Sequence, residues 1–358
     1  MSNSSRKFIN LATCFVVLAL ACMIAGNAFG RTVKVDCSKN GKLQSTIDGA
    51  ASGDTIEITG ICMENILIRD KALTLMGAAN GGPHGITGVT ANTDGVRIES
   101  SRDTVLKNLV ISNPLFGGVR IRYHSTVEMS DCEVSNSFAG AGTGIWVESG
   151  SRFIGTRLRL DDNLRGLGAA QQSRAFCFEC DLNDNVQWAA TATQNSVISL
   201  LDSVVTGVRG INAQEQSYID IDCASHVSPH ACSLAPTSIA GQALWQSTVG
   251  FYEAGDFHGR VEASDRSKAH LIGARQQSIA GDNGIEDESS LNVGPGATGN
   301  SRLMGTTNLN GFSRAQMADA STVLDGSLNC ESGSDAWVDP AVDLLTPGFT
   351  FNNCEHAP

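Results

Sequence analysis

Apolar and polar residues alternate in short segments that recur along the middle of the chain. In the first segment, Gly95-Val96-Arg97-Ile98-Glu99, every second residue is apolar, which is typical of a strand with one buried face. The segments begin 23, 26, 22, 22 and 22 residues apart, at Gly95, Gly118, Gly144, Gly166, Trp188 and Gly210. A nearly constant spacing in this range indicates stacked structural repeats.

A second set of apolar positions recurs inside the same units. These positions lie 14 and 16 residues after the start of a unit and are held by Cys132, Leu158 and Cys180, then by Val134, Leu160 and Leu182. Fixed inward positions indicate coils of about 22 residues, in which several short strands are separated by polar bends. The pattern predicts an all-β solenoid of three-strand coils and does not suit amphipathic helices.

The region before the repeats extends the solenoid. Leu43, Ile47 and Ala50 are spaced for one face of a short helix, which would cap the N-terminal end of the stack. Strand patterns follow at residues 53–58 and 73–77.

The pattern after the repeats is weaker. Residues 259–263 and 269–273 still have strand character. Before the repeats, the glycine-rich residues 77–88 predict a loop. We expect a single β-solenoid over residues 31–300. Residues 301–358 are expected to form a C-terminal cap or tail that ends near Cys354.

The first thirty residues have the features of an export signal. Arg6 and Lys7 precede an almost uncharged apolar run, and Ala28 and Gly30 are small residues before a cleavage point ahead of Arg31. We therefore expect residues 1–30 to be a signal peptide, with a secreted or periplasmic protein and no membrane insertion after cleavage. A membrane anchor and lipidation at Cys22 are the alternatives.

The charge balance argues against two classes of partner. The chain has 25 basic and 37 acidic residues, and loss of residues 1–30 leaves 23 and 37, a net charge of −14. Nucleic acids and anionic membranes both need a basic surface, so neither is expected as a partner.

Residues 45–77 carry a family resemblance. The motifs Ile47-Asp48-Gly49-Ala50-Ala51, Gly53-Asp54-Thr55-Ile56 and Leu73-Thr74-Leu75-Met76-Gly77 resemble the opening coils of bacterial proteins of the pectin-lyase-like superfamily. The segments over residues 95–241 are similar to the parallel β-helix repeats of that superfamily. The resemblance implies a right-handed parallel β-helix. It does not imply one activity, because the fold hosts lyases, hydrolases, esterases, epimerases, adhesins and inert spacers.

A charged and aromatic face is the candidate binding surface. If the apolar residues of each segment face inward, two outward rows run along the axis at about 4.8 Å per coil: Arg97, Arg120 and Trp146, and Glu99, Arg122 and Glu148. Sugars stack on aromatic rings, and an arginine fork fits the carboxylate of a uronic acid. These six residues are therefore predicted to bind an acidic polysaccharide. The alternative is a solvated sheet face with ordinary cross-strand pairs.

No catalytic residue can be assigned. Asp161-Asp162 is flanked by arginines and could divide acid and base roles, but it lies in a bend, where aspartate more often bonds its own backbone. No complete catalytic motif of the superfamily is present. The enzyme question stays open, with a polysaccharide lyase or glycoside hydrolase as the candidates.

No metal site is predicted from the histidines. His226 and His230 have no further ligand nearby in the sequence. No cofactor is expected. Calcium is left open, because its ligands can come from separate coils without a linear motif.

Nine cysteines follow residue 30, in a protein expected to meet an oxidising compartment. Proximity in sequence predicts three disulfides, Cys37–Cys62, Cys223–Cys232 and Cys330–Cys354. Cys132, Cys177 and Cys180 fall at inward positions and are expected to be buried thiols. For Cys177 and Cys180, the alternative is a redox-active or metal-binding pair.

Two classes of function follow. The first is an exported protein that binds, and in one version also processes, an extracellular or periplasmic polysaccharide. The second is a non-enzymatic cell-surface or structural β-helix that engages protein partners. The fold, the export signal and the outward face with Arg, Trp and Glu support the first class, which is the preferred prediction. The missing catalytic motifs and the small outward residues Gly168, Ala170 and Ala190 support the second class. The oligomeric state is left open.

Overall fold

The computed structural model describes residues 30–79, 81–113, 115–137, 142–223, 232–279, 281–295, 301–318, 322–331, 333–344 and 350–354. In these residues the chain forms a single parallel β-solenoid of about 13 coils with almost no helix. The predicted all-β fold is confirmed. Strands of successive coils pair in parallel and form three stacks, which we call A, B and C in their order along each coil.

Stack A carries the residues of the predicted binding surface. Its strands are Ile66–Arg69, Val96–Glu99, Val119–Arg122, Thr143–Val147, Arg165–Ala169, Trp188–Ala192, the C-terminal parts of Val204–Ala213 and Ser233–Ala243, Arg260–Ala263, Asn283–Ile285, the C-terminal parts of Ser301–Leu309 and Thr322–Cys330, and Thr350–Asn352.

Stack B begins with two strands that precede the first strand of stack A, and from there on it follows stack A in each coil. Its strands are Thr32–Asp36, Thr55–Thr59, Thr74–Gly77, Thr104–Lys107, Thr126–Ser130, Arg152–Thr156, Arg174–Phe178, Val197–Leu201, Tyr218–Asp222, the N-terminal parts of Thr248–His258 and Lys268–Ser278, Ser290–Gly294, Arg314–Met317 and Asp335–Val338.

Stack C closes each coil. Its strands are Ile61–Met63, Gly85–Thr87, Val110–Ser112, Glu133–Ser135, Arg159–Asp161, Asp181–Asn185, the N-terminal parts of Val204–Ala213 and Ser233–Ala243, the C-terminal parts of Thr248–His258 and Lys268–Ser278, the N-terminal parts of Ser301–Leu309 and Thr322–Cys330, and Asp343–Leu344.

The core runs along the axis and consists of the inward residue of every strand pair. Val96, Val119 and Ile145 stand opposite one another in stack A and are at most 1% exposed. Successive side chains of a strand point to opposite faces, so the residues between these positions face solvent. The predicted inward positions in the second half of the repeat are also buried: Cys132, Val134, Leu158, Leu160, Cys180 and Leu182.

The predicted register is wrong by one residue at the fifth repeat. Arg165 pairs with Trp188 and Leu167 pairs with Ala190, so this spacing is 23 residues and not 22. Ala190 is therefore a core residue and not an outward one, and Thr191 holds the outward position. The bend before Trp188 takes up the extra residue, which the sequence pattern alone does not reveal.

Two expected boundaries are corrected. The glycine-rich residues 77–88 contain a strand of stack C, Gly85–Thr87, which pairs with Ile61–Met63. The solenoid also continues beyond residue 300, since Ser301–Leu309 pairs with Thr322–Cys330 over nine residues. Leu303 and Leu324 are buried in that ladder, so further coils replace the expected separate cap or tail. The strands after residue 300 are longer, so the 22-residue repeat is hard to recognise in the sequence.

The α-helix Leu43–Gly49 caps the N-terminal end, as predicted. Leu43 and Ile47 are buried against the first coil. Lys42 provides no side-chain cap. The Glu64 carboxylate instead accepts hydrogen bonds from the backbone N–H groups of Leu43 and Gln44, at 2.9 and 3.2 Å. A 3-10 helix, Cys37–Lys39, precedes this cap.

Four pairs of cysteines form disulfides in the structure. Three are the predicted disulfides, Cys37–Cys62, Cys223–Cys232 and Cys330–Cys354. The expectation of buried thiols is wrong for Cys177 and Cys180, which form a fourth disulfide. Glu179 between them has a left-handed backbone, and this tight bend brings the two inward side chains together.

Cys132 remains a free, buried thiol in the described part of the chain. Burial raises the pKa of the Cys132 thiol to about 11. It is therefore an inert core group at neutral pH.

A ladder of buried serines marks the turn between stacks A and B. The backbone N–H of each serine except the last donates to the hydroxyl oxygen of the serine one coil further, at 3.0–3.3 Å. The members are Ser101, Ser125, Ser151, Ser173, Ser196, Ser217, Ser247, Ser267, Ser289, Ser313 and Ser334. This serine ladder satisfies buried N–H groups at a bend, where the strand pairing is interrupted.

Removal of one serine hydroxyl tests the ladder. Ser196→Ala leaves the buried N–H of Ser173 without an acceptor, so we expect unfolding to become easier by about 1–3 kcal/mol. Ser130→Ala is the control, because Ser130 lies outward on stack B and its hydroxyl has no hydrogen bond to a described residue; its effect should stay below about 0.5 kcal/mol. Urea unfolding measures both. Equal stabilities would show that the ladder adds nothing to the backbone pairing.

Asp220 makes the stability of stack B depend on pH. It lies opposite Ser199, whose hydroxyl donates to it at 2.8 Å. Burial raises the pKa of Asp220 from 3.8 to about 6, Ser199 opposes the rise, and the charge of Asp222 adds to it. A raised pKa in the folded state favours the protonated form. Its stabilising contribution is therefore complete below pH 3.8 and is lost as the pH rises through about 6.

The substitution Asp220→Asn should remove the loss of folding stability that occurs as the pH rises. We expect the variant to be more stable than the wild type by about 1–3 kcal/mol near pH 7, and close to it below about pH 4. Thermal unfolding across this pH range is the measurement. Asp103→Asn, at an exposed position, should follow the wild-type pH curve. A constant difference between Asp220→Asn and the wild type at all pH values would contradict the assignment.

Candidate functional site

The six predicted binding residues lie together on the outward face of stack A. Arg97, Arg120 and Trp146 stand opposite one another in successive strands, and Glu99 pairs in register with Arg122. The structure thus reproduces the two predicted rows. What binds to them stays a prediction.

Glu148 is the centre of one ion-pair cluster. Its two carboxylate oxygens accept from Nε and Nη2 of Arg120, both at 3.0 Å, and Trp146 Nε1 donates to Oε2 at 3.0 Å. Burial raises the pKa of Glu148, but the bonds and charge of Arg120 outweigh it, with Trp146 helping, so the pKa lies below its ordinary value. Glu148 is therefore an anion that already occupies the fork of Arg120.

Glu99 is the centre of a second cluster. Its carboxylate contacts Arg69, Arg97 and Arg122, and only 6% of its side chain is exposed. The arginines of the predicted surface are thus paired within the protein. This geometry is that of cross-strand pairing, and it leaves less of each guanidinium for an acidic ligand.

A cavity of about 350 Å³ lies beside these clusters. We call it the stack A pocket. Three of the six predicted residues line it, Arg120, Trp146 and Glu148, together with Asp94, Phe116, Gly117, Thr143, Arg165, Ala170, Gln171, Thr193, Gln194 and Glu215. Arg97, Glu99 and Arg122 are not among its lining residues.

Two charged residues of the stack A pocket were not predicted. Burial raises the pKa of Asp94, against the charges of Arg120 and Arg97. Burial alone lowers the pKa of Arg165, whose guanidinium has no ion pair with any residue in the described ranges. In the sequence Arg165 stands out only as a neighbour of Asp161, although the repeat places it one coil beyond Trp146.

Gly168 is not an uncovered position on the outward face of stack A. It stands opposite Trp146, and a Cβ atom at Gly168 would lie 2.1 Å from Cε3 of the indole. The Trp146 ring therefore covers this position. Ala170, which is also small, lines the pocket. Small outward residues here make room for an aromatic ring and do not disfavour a binding surface.

Asp161-Asp162 does not form part of the pocket. Asp161 ends a strand of stack C and is paired with Arg159. Burial raises the pKa of Asp161, opposed by Arg159. Asp162 has a left-handed backbone, as expected for a bend residue.

A larger cavity of about 1050 Å³ runs along the turns between stacks A and B. We call it the turn groove. Its lining residues come from the two positions before each ladder serine and are Gln172, Gln194, Asn195, Glu215, Gln216, Trp245, Gln246, Asp265, Arg266, Asp287, Glu288, Gly311 and Phe312. The recurrent serine is the sequence signal that could have revealed this groove.

Two aromatic residues of the turn groove are exposed. Trp245 is 49% and Phe312 67% accessible to solvent. Their backbones are left-handed, with φ of 55° and 61°. Most equivalent turn positions hold Gln, Asn, Asp, Glu or Gly, and Tyr123, His124 and Arg266 are the other bulky residues there. Left-handed bulky residues are rare and strained, and strain of this kind concentrates at functional sites.

The two cavities adjoin each other. Gln194 and Glu215 line both of them, so one surface extends from Arg120 in the stack A pocket to Phe312 in the turn groove. It crosses eight coil spacings, or about 38 Å at about 4.8 Å per spacing. A surface of this length suits an extended ligand.

The family model "Right handed beta helix region" matches residues 80–224. The chain therefore has a right-handed β-helix fold. Together with the parallel solenoid, this match confirms the expected resemblance at the level of fold. No curated protein matches the β-helix protein.

One solved structure similar to this β-helix protein is that of pectate lyase Pel9A. The sequences are 12% identical, the match covers 90% of this chain and 80% of the other, and the TM-score is 0.43. A likeness at this level carries no argument about substrate or activity.

Among the described residues of the β-helix protein, no group of three or more His, Cys, Asp or Glu side chains converges in a way that could hold a metal ion. His226 and His230 lie outside those residues. Within the described part of the chain, no helix has the length and apolar character needed to cross a membrane.

Gly168→Ala tests the packing of the Trp146 ring. The added methyl group should displace the indole, break its bond to Glu148 and shift the tryptophan fluorescence of the β-helix protein to longer wavelength. Gly284→Ala is the matched control, because Gly284 is also outward on stack A and its Cβ would have no neighbour closer than 3.9 Å. An unchanged spectrum in Gly168→Ala would contradict the described position of Trp146.

Proposed function

We propose that this β-helix protein binds an extended polysaccharide outside the cytoplasm, along the surface formed by the stack A pocket and the turn groove. The observation that carries the proposal is the pair of exposed aromatic residues, Trp245 and Phe312, in a groove otherwise lined by amide and charged side chains. Sugar rings combine apolar faces with hydroxyl edges, and such a surface complements both.

The spacing of the aromatic residues supports a polymer as the ligand. Backbone bonds connect the turn of Trp245 to that of Asp265, then Asp287, then Gly311, so Trp245 and Phe312 lie three coils apart. Three coil spacings amount to about 14 Å. Several rings of one chain could bridge this distance, with the amides and carboxylates of the intervening turns bonding the hydroxyl groups.

The conformation of Trp245 also supports a binding role. A left-handed tryptophan costs the fold about 1–2 kcal/mol, and half of the side chain remains in solvent. Stability alone would favour Asn or Gly at this turn position. A bound ligand that covers the ring would offset the cost.

The cysteines support a location outside the cytoplasm. Four disulfides within one chain are typical of an oxidising compartment, in line with the signal peptide predicted over residues 1–30. The proposal is limited to binding, because no catalytic group is assigned. Processing of the polysaccharide would be a separate property.

Replacement of both aromatic residues tests the proposal. Residues 31–358 should bind at least one polysaccharide in affinity electrophoresis, and Trp245→Asn/Phe312→Asn should weaken this binding by roughly 10- to 100-fold, as expected for two stacking contacts of about 1 kcal/mol each. The melting temperature should stay the same or rise, because Asn adopts the left-handed conformation more readily.

The control variant is Trp337→Gln. Trp337 is exposed to a similar degree, 46%, but lies outward on stack B, away from the groove. It should bind like the wild type. Failure of the wild type to bind any polysaccharide would overturn the proposal and favour the alternative of a surface protein with protein partners.

Arginine variants are less suitable as a first test. Loss of Arg120 and Arg122 would leave the largely buried Glu148 without a cation, which typically costs about 3–5 kcal/mol. A binding defect in Arg120→Ala/Arg122→Ala/Trp146→Ala could then reflect local unfolding. Variants of Trp245 and Phe312 avoid this ambiguity.

A further inference from the structure

The charges of the turn groove restrict the class of polysaccharide. Five charged residues line it: Glu215, Asp265, Arg266, Asp287 and Glu288. Arg266 Nε and Glu288 Oε2 are 2.7 Å apart, and their mutual hydrogen bond lowers the pKa of Glu288 and raises that of Arg266. Both members of this pair are charged at neutral pH, and their charges cancel.

Three carboxylates of the groove remain without a cation. Glu215, Asp265 and Asp287 are exposed, and none has an ion pair with a described residue. Asp265 and Asp287 lie in adjacent turns, since the N–H of Arg266 donates to the carbonyl of Asp287. Glu215 lies two turns before Asp265, with Trp245 between them. The groove thus presents a row of negative charge beside its aromatic rings.

We infer that the polysaccharide held in the turn groove is uncharged, an inference that rests on the proposed function. A polyuronate in the groove would bring carboxylates close to this row. Two such charges about 5 Å apart in water repel enough to weaken binding about fourfold, and more where the effective dielectric is lower. Several such repulsions outweigh two aromatic contacts that together strengthen binding roughly 30-fold.

The stack A pocket does not reverse this balance. It contains two arginines, Arg120 and Arg165, against three carboxylates, Asp94, Glu148 and Glu215. Arg120 is held by Glu148. One unpaired guanidinium, Arg165, cannot neutralise the row of carboxylates in the turn groove.

The remaining polar groups of the turn groove suit hydroxyl groups. Its amides come from Gln172, Gln194, Asn195, Gln216 and Gln246. An amide both donates and accepts, a carboxylate only accepts, and a sugar hydroxyl can match either group. A neutral polymer therefore satisfies the groove without burying a charge.

Binding to three classes of polymer tests the inference. Residues 31–358 are titrated with uncharged polymers (a mixed-linkage glucan, a galactomannan and a neutral xylan), with polygalacturonate in calcium or in a chelator, and with chitosan. We expect an uncharged polymer to bind most tightly. Its dissociation constant should change less than about twofold between low and high salt, because no ion pair is formed.

Two results would overturn the inference. One is tightest binding of polygalacturonate, in calcium or in the chelator. The other is tightest binding of chitosan with strong weakening by salt. If Trp245→Asn/Phe312→Asn weakened such binding, the proposed function would stand and only the uncharged class would fail. Absence of binding to every polymer would overturn both.

Neutralisation of the carboxylates provides the second test. Glu215→Gln/Asp287→Asn preserves side-chain shape and removes two charges from side chains without hydrogen bonds to described residues. We expect binding of the uncharged polymer within about threefold of wild type and a gain in affinity for polygalacturonate of about tenfold, because two repulsions are removed.

The matched control is Asp70→Asn/Asp103→Asn. These two aspartates are also exposed and left-handed and lie outside the turn groove, so the net charge changes equally. This variant should not gain affinity for polygalacturonate. Equal gains in affinity for both double variants would assign the effect to net charge. No gain for Glu215→Gln/Asp287→Asn would show that charge repulsion does not keep polygalacturonate out of the turn groove. Either outcome overturns the inference.

Discussion

The register between successive coils is the constraint on which the rest of the structure depends. A shift of one residue in any strand would exchange its inward and outward side chains. Parallel backbone pairing maintains the register within the strands, and the serine ladder maintains it at the turn between stacks A and B, where a hydroxyl in each coil accepts the buried N–H of the coil before it. The apolar core, the ion pairs of Glu99 and Glu148 and the turn groove all follow from this alignment.

The sequence predicts those parts of the fold that repeat with a constant period. Val96, Val119 and Ile145 can be aligned from the sequence alone, because each belongs to a strand with strict alternation. The predicted position of Trp188 is wrong by one residue because a bend takes up an insertion, and the alternation is weak in a strand of small residues. The coils after residue 300 escape prediction since strands of nine residues span two stacks there and obscure the bends.

The candidate site is predicted less completely, and for a different reason. The outward rows of stack A follow from alternation alone, and the structure reproduces them. The pairing of Arg120 with Glu148 depends on rotamers and on neighbours 28 residues away, which no local pattern specifies. The turn groove consists of irregular turn residues, and only their position before a recurrent serine relates Trp245 to Phe312. Recognition of the buried serine as a repeat marker would have identified the groove.

Each left-handed turn that lines the turn groove has a consequence for the evolution of this protein. Its two residues make backbone bonds to neighbouring coils, while their side chains point into solvent and contribute nothing to the core. Such positions tolerate substitution as long as the backbone conformation is accessible, as the range from Gln194 to Trp245 and Phe312 illustrates. Mutation can therefore alter the side chains of the turn groove one coil at a time without a loss of foldability. Duplication of a coil would lengthen the turn groove by a further row of the same kind.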